Sequence, residues 1–505
     1  MAEMADEQLR GLEDAHEEYE AYEERWERVR NCVSGSDAIK AETTEYFPAL
    51  AGEVPLNAPN SLTTTGRPVS DSPLVGQYEK RIALAAVYEA TDKTLDALLG
   101  ALFRTPSQPT VADAIAPQLV NIDLAGTSYD AFKQQVGQEV LEVGRYGVLV
   151  DWSNEQRRPF WRPYETEQID NWRYGLRDGQ KVLEQVKLRE SVTERSSSGF
   201  GSEAAERYRV LELNDAGQVE VTTYTRRTRT DNGATRRVWD VEGPTILARQ
   251  GVPLTEIPFV AFGRLDLDLC PQKPPLLGIA DLQLDHYRLD GDVKWAIHMG
   301  CMGGLFVIGD GDPDVPKPYY MGGGVNRLAS GATVEFVTLP GDMVDRAREE
   351  KADDERRMAL MGARMLLAPK REAETAEASM IQRDGESASL SMISQALSSA
   401  LTKCWAYHAM WMGLPDDAAG DELSRDFFPH RLAPDEITAQ LSLVQAGKMS
   451  TETFLENLYA GQIAREPDVE MERIGSEPQM GGPGDPTILD DPTAAPATEP
   501  PTSAA

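Results

Sequence analysis

Residues able to do chemistry are scattered along this 505-residue chain rather than grouped. The five histidines, His16, His286, His298, His408 and His430, form no HExxH or HxH pattern. No pair is therefore spaced to hold a metal from one helix face. His286 falls on an apolar stripe and reads as a hydrogen-bonded packing histidine. Cys32, Cys270, Cys301 and Cys404 include no CxxC pair, so buried thiols are expected rather than a disulfide framework or a zinc site. The phosphate loop Gly-x4-Gly-Lys-Ser/Thr does not occur, and ATP hydrolysis is not expected. Asp310, Asp312 and Asp314 begin like a calcium loop but lack its sixth-place glycine and twelfth-place glutamate, which leaves an exposed acidic turn. Gly144-Arg145-Tyr146-Gly147 leads into an apolar run ending at Asp151. An acid there could serve a metal-dependent nuclease, but a structural turn is the simpler reading. Lys370, Arg371 and Arg383 make a small basic cluster in a polar segment between two long helical runs.

The elements that would position these residues follow from periodicity. Residues 1–45 read as an acidic helix with sparse apolar positions, lying on the surface or on a partner. Residues 46–75 are rich in Pro, Asn, Thr and Ser and read as an extended connection. Ile82, Ala85, Tyr88 and Leu95 predict helix from Leu74 to Phe103, and a second helix is expected over Ser128–Val143. Residues 180–262 look antiparallel, with a hairpin turn at Asp215-Ala216-Gly217 and a strand at Ile257–Phe262. The fold class is therefore α+β.

After Gly278, the residues Ile279, Leu282, His286, Leu289, Val293 and Ala296 mark one stripe of a helix reaching Met302. A glycine-rich β insertion follows, and then a charged helix over 342–367. In that helix, Asp353–Arg357 and Lys351–Glu355 are spaced for i,i+4 pairs. Leu390, Ile393, Leu397, Ala400, Cys404, Tyr407 and Trp411 define an apolar face on a third helix, to be buried against the α+β region or a neighbouring copy. A last helical pair is expected around Gly447-Lys448-Met449-Ser450, before a Pro/Ala/Thr-rich tail without structure.

Composition narrows the function classes. Hydrophobic residues at 41% and charged residues at 26% describe an ordinary globular chain. No apolar run approaches the roughly 18 residues of a membrane span. The acidic N-terminus is unlike a secretory or transit signal, so a cytosolic origin is expected. A net charge of −33 argues against a surface that wraps nucleic acid. It is compatible with a surface past which nucleic acid slides.

Four stretches carry a resemblance: SYDAFKQQVGQEVLEVGRYGVLVDW (128–152), LTEIPFVAFGR (254–264), PPLLGIADLQLDHYRLDGDVKWAIHMGC (274–301) and ETAEASMIQRDGESASLSMISQAL (374–397). In this order and spacing the chain resembles the portal proteins of tailed bacteriophages, in the branch long catalogued only as a domain of unknown function. That resemblance implies a mixed wing over 46–277, preceded by an acidic helical segment over 1–45. It implies stem helices at 278–302 and 342–367 around a clip at 303–341. A tunnel loop at 368–386, a spine helix at 387–413, a linker and short crown at 414–470 and a tail at 471–505 would complete the chain.

The resemblance further implies a non-enzymatic ring, usually of twelve copies, at one capsid vertex of the virion, assembled in the host cytoplasm. Double-stranded DNA would pass non-specifically. The large terminase, capsid and scaffolding proteins and head-completion adaptors would be the partners, without cofactor or membrane. Lys370, Arg371 and Arg383 would face DNA from the tunnel loop. Arg346, Glu350, Asp353 and Arg357 would line the channel, while Asp312, Lys317, Tyr319 and Arg327 would meet terminase or adaptor. The alternatives are a structural head or connector protein without a channel and, more remotely, the nuclease using Asp151.

Overall fold

The computed structural model describes residues 2–5, 11–50, 76–177, 179–195, 202–231, 234–302, 304–308, 331–337, 341–361, 376–415, 417–425, 427, 434–460 and 463–476. In chain order these form β1 (Ala2–Ala5), α1 (Glu17–Ser34), α2 (Ser36–Ala41), α3 (Gln77–Leu84), α4 (Ala90–Leu102), β2 (Thr110–Val111) and α5 (Tyr129–Glu142). The strands β3 (Arg145–Ser153), β4 (Arg158–Tyr164), β5 (Ile169–Arg177), β6 (Gln180–Arg195), β7 (Ser202–Leu213), β8 (Val219–Asp231) and β9 (Ala234–Ile246) follow. Then come β10 (Ala248–Arg249), β11 (Val252–Pro253), β12 (Phe259–Gly263), α6 (Leu277–Met302), β13 (Gly304–Ile308), β14 (Thr333–Val337), α7 (Gly341–Met361) and α8 (Ala376–Met412). The short β15 (Ala419–Gly420) and the helices α9 (Pro434–Gln445), α10 (Thr451–Ala460) and α11 (Pro467–Ser476) close the order. The fold is α+β. Two compact units divide at Phe427 and Phe428.

In the larger unit, β5 to β9 form an antiparallel meander in the order β1-β9-β8-β7-β6-β5. The β7–β8 turn uses Gly217 at φ 75°, the left-handed conformation in which glycine carries no Cβ penalty. In a second sheet, β12-β3-β4, the whole of β12 and the first six residues of β3 are buried on both faces, as the continuous apolar runs Val148-Leu149-Val150 and Phe259-Val260-Ala261-Phe262 require. Gly147 at its centre is obligatory for space: a Cβ there would lie 2.3 Å from Phe259 Cζ.

Helix α5 starts where Ser128 Oγ accepts the Ala131 N–H at 3.3 Å, an N-cap. Helix α8 lies across the second sheet. Trp405 stands 4.7 Å from Trp161 and 5.0 Å from Tyr129, ring to ring. Trp411 Nε1 donates to Val150 O at 2.9 Å. All seven positions of the expected α8 face are buried, against the α+β sheet.

Four element expectations are corrected. The N-terminal segment is a strand and two helices rather than one surface helix, and Tyr19, Trp26, Val29 and Cys32 are buried in the core. Their spacing of seven, three and three keeps them on one face, about 140° wide at 3.6 residues per turn, among the glutamates. The helix expected over 74–103 is broken into α3 and α4 by extended backbone at Ala85. The polar segment 368–386 is helical from Ala376 onward, because Ala, Glu, Met, Gln and Arg are helix formers that outweigh the lone Gly385. Residues 471–476, assigned to the tail, belong to α11. The smaller unit holds α9, α10 and α11, with the expected turn at Gly447 between the first two.

Candidate functional site

Helix α6 has to satisfy neighbours on two sides, and this decides which of its residues are buried. Toward α1, α3 and α4, Gln283 Oε1 accepts the Thr91 N–H at 2.9 Å and the Thr91 hydroxyl at 2.8 Å. Its Nε2 donates to Cys32 O at 3.2 Å. The Tyr287 ring lies 5.1 Å from Phe47, and Gly291 leaves room for that Phe47, which would sit 2.4 Å from a Cβ. The expected stripe is thus shifted. Ile279, His286 and Val293 are buried, but Leu282, Leu289 and Ala296 are only half-buried, and Gln283, Tyr287 and Asp290 take deeper places.

Toward α7 the contact is polar. Asp290 is 1% exposed. Its Oδ2 accepts from Ala86 N at 2.7 Å and from Lys294 Nζ at 2.7 Å, and its Oδ1 meets Lys351 Nζ from α7. Burial alone would raise this carboxyl, but the two ammonium groups and the amide outweigh it and hold it below its usual pKa. One turn away, His286 Nε2 lies 3.2 Å from Glu355 Oε1. Met358 and Asp354 complete the buried side of α7. Burial, with Glu350 and Asp285 nearby, pushes the Asp354 carboxyl up despite Arg357 and His286.

The intrahelical pairs expected from spacing are therefore not the ones formed. Lys351 and Glu355 cross to α6, Asp353 pairs with Arg356 at 2.7 Å, and Arg357 pairs with Asp354 at 3.2 Å and Glu350 at 3.7 Å. A buried carboxylate on the facing helix offers Lys351 a stronger partner than a solvated one on its own helix.

Arg346, Glu350, Asp353 and Arg357 are exposed. Their spacing of four, three and four places them along one stripe of α7. The antiparallel pair β13–β14, registered Gly304 to Val337 through Ile308 to Thr333, lies between α6 and α7 in the chain. Ile308 and Val334 are exposed upon it. Asp312, Lys317, Tyr319 and Arg327 lie outside the described residues, as do Asp310, Asp314, Lys370, Arg371 and His430. Arg383 falls within α8.

The residues considered for catalysis are dispersed. Asp151 is held by Arg209 Nη1 at 2.9 Å. His408 is fully buried between Trp405 and Trp161, and burial first, with Arg158 assisting, lowers its pKa to about 3, so the ring is neutral. Cys32 and Cys404 are buried free thiols and Cys270 is a half-buried one. Among the described residues no three His, Cys, Asp or Glu side chains are grouped to hold a metal ion. None of the described helices is long and apolar enough to cross a membrane.

Sequence periodicity missed the Asp290–Lys351 and His286–Glu355 seam, whose partners are 61 and 69 residues apart. His286 on its apolar stripe was the signal the sequence offered, whereas Asp290 is one of six charged residues in α6 and nothing in the spacing singles it out.

Residues 275–412 match the family model described as a domain of unknown function (DUF4055). No curated protein matches the chain. Among solved structures, a chain from the neck of an empty gene transfer agent particle, solved with C6 symmetry, aligns with TM-score 0.39 and 10% identity over 74% of this chain and 90% of that one. A chain from the virion of a native gene transfer agent particle aligns with TM-score 0.40 and 11% identity over 74% of this chain and 89% of that one.

Proposed function

We propose that this chain is the portal subunit of a tailed-phage-like particle. In this reading it forms a non-enzymatic ring at one capsid vertex, through which double-stranded DNA is packaged and later released. The observation that supports the reading most directly is the arrangement of α6, β13–β14 and α7. Two long helices flank a short antiparallel strand pair, and the second of them packs chiefly on the first while exposing a mixed-charge stripe. Such a stripe suits a wet bore. With a net charge of −33 per copy, the walls would repel phosphate and allow the duplex to slide.

In this reading Arg346, Glu350, Asp353 and Arg357 line the bore. Lys370, Arg371 and Arg383 touch phosphates transiently above it, and the segment carrying Asp312, Lys317, Tyr319 and Arg327 docks the terminase and then the adaptors. Electron micrographs of the purified protein along its symmetry axis test the proposal. A ring with a central hole wide enough for a DNA duplex is expected. A closed or filled oligomer would instead favour a connector without a channel.

A further inference from the structure

The chain as a whole is acidic, yet residues 225–237, TRRTRTDNGATRR, hold five arginines, no lysine and a single acid, Asp231. Backbone pairing makes this stretch a two-stranded ribbon. The β7–β8 ladder ends at Arg207 opposite Thr225 and the β1–β9 ladder at Ala5 opposite Val238, whereas β8 and β9 stay registered out to Asp231 opposite Ala234. Arg229 stands directly opposite Arg236, and Thr228 opposite Arg237. Opposed residues share a face and successive ones alternate, so Arg227, Arg229 and Arg236 fall on one face and Arg226 and Arg237 on the other. The arginines nearest the sheet are occupied. Arg226 Nη1 lies 3.0 Å from both Glu13 and Glu206, and Arg227 Nε lies 2.6 Å from Asp240. Beyond them Arg237 is exposed, and no position opposite Arg229, Arg236 or Arg237 carries an acid. Like charges at opposed positions weaken a strand pair, and a two-stranded ribbon has little stability to spare. Charge placed only to keep a strand edge from aggregating would not need arginine in a chain whose acids outnumber its lysines and arginines 83 to 50.

We propose that the β8–β9 ribbon binds the phosphates of duplex DNA, without regard to sequence, through Arg229, Arg236 and Arg237. A guanidinium fork suits a phosphate through two parallel hydrogen bonds. The interleaved Thr228, Thr230 and Thr235 bring hydroxyl groups of the kind that also reach phosphates. Arginines on both faces favour a duplex over an acidic protein surface. The major groove admits a two-stranded ribbon and has a phosphate strand on either side, whereas a flat surface would meet one face alone. The pairs made by Arg226 and Arg227 fasten the base of the ribbon to its sheet. This site is separate from the α7 stripe and from Lys370, Arg371 and Arg383, and it does not depend on the portal reading.

Filter binding of the full-length protein to a closed circular DNA duplex, which cannot thread a closed ring, tests this. Binding at about 50 mM salt is expected. Arg229→Glu, Arg236→Glu and Arg237→Glu together should weaken it by about tenfold or more and flatten the slope of log K against log salt by about 2 to 3. Arg236→Glu alone turns a like-charged opposed pair into an oppositely charged one. It should therefore unfold no earlier than wild type while still weakening binding, which separates a lost contact from a lost fold. Inorganic polyphosphate should displace the duplex far better than polyglutamate of equal charge. No binding by the wild type, or undiminished binding by the triple variant, would overturn the inference. Equal displacement by polyglutamate would also overturn it and assign the ribbon to an acidic protein partner. Whether the protein forms a ring is read separately from micrographs, so either idea can fail without the other.

Discussion

Arg30 holds three carboxylates at once: Glu167 at 2.7 Å, Glu139 at 2.8 Å and Glu142 at 3.2 Å. A single guanidinium cannot neutralise all three. Burial raises Glu142 to about 7, with Glu139 adding to the rise and Arg30 opposing it, and burial raises Glu139 too. A carboxyl whose folded pKa lies above its unfolded value binds its proton more tightly when folded. Its stabilising contribution is full below about pH 4.5 and is lost as pH rises through about 7. Glu142→Gln keeps the hydrogen-bonding shape and removes the titration. Relative to wild type, this variant should gain on the order of 2 kcal/mol between pH 5 and pH 8, read from urea unfolding at both values. An equal difference at the two pH values would refute the assignment. Gly147 gives a second test at this scale. A Cβ there would collide with Phe259 and with Ile169 Cδ1 at 2.7 Å, so Gly147→Ala should cost about 1–3 kcal/mol by overpacking, again measured by urea unfolding.

Helices α7 and α8 differ in what secures them. The α8 helix is fastened by large aromatic contacts to β3, β4 and β12, and Trp405 is fully buried. Trp405→Ala should therefore cost about 3–5 kcal/mol, lowering the midpoint of chemical denaturation. The α7 helix is held on α6 by Asp290–Lys351, His286–Glu355 and little apolar surface. Asp290→Ala strands Lys351 and Lys294 together, so amide exchange should accelerate in α7 and stay unchanged in α8; equal acceleration in both would show that α7 has no separate opening. The α8 face was legible in the sequence because seven apolar positions kept a three-four period without interruption. The α1 core stripe was not, since Tyr19, Trp26, Val29 and Cys32 are few and the surrounding glutamates dominate the pattern. The polar seam was beyond reach for a different reason. Only folding brings residues 286 and 290 beside 355 and 351, and spacing along one helix pointed each of the α7 residues to a nearer partner. Of the expected channel residues, the stripe through Arg346 and Arg357 could be read from spacing alone, whereas which side α7 turns toward α6 could not.

At the scale of the whole molecule the chain divides at Phe427 into a large α+β unit and a small helical one. Because each has its own contacts, a chain ending at Phe427 should retain the main cooperative unfolding transition within about 2 °C of the full-length protein, as differential scanning calorimetry can check. Loss of that transition would mean that the helices beyond Phe427 are needed for the fold of the larger unit. The larger unit is itself tied together across great sequence distance. Arg145, fully buried, donates from Nε to Leu269 O at 2.8 Å and from Nη1 to Thr166 O and Ile169 O at 3.2 and 3.1 Å. Its guanidinium stacks 4.4 Å from the Trp172 ring.

Helix α1 shows where such long ties lead. Its Cys32 meets Ala280 and Gln283, about 250 positions later in the chain. A nascent polypeptide therefore leaves the ribosome with the α6-facing end of this stripe, at Cys32, bare until more than half of the protein has been synthesised. During that interval, on the order of tens of seconds at bacterial elongation rates, the glutamates that crowd α1 act as a solubilising escort. They keep an unfinished hydrophobic stripe from finding the same stripe on a neighbouring nascent chain.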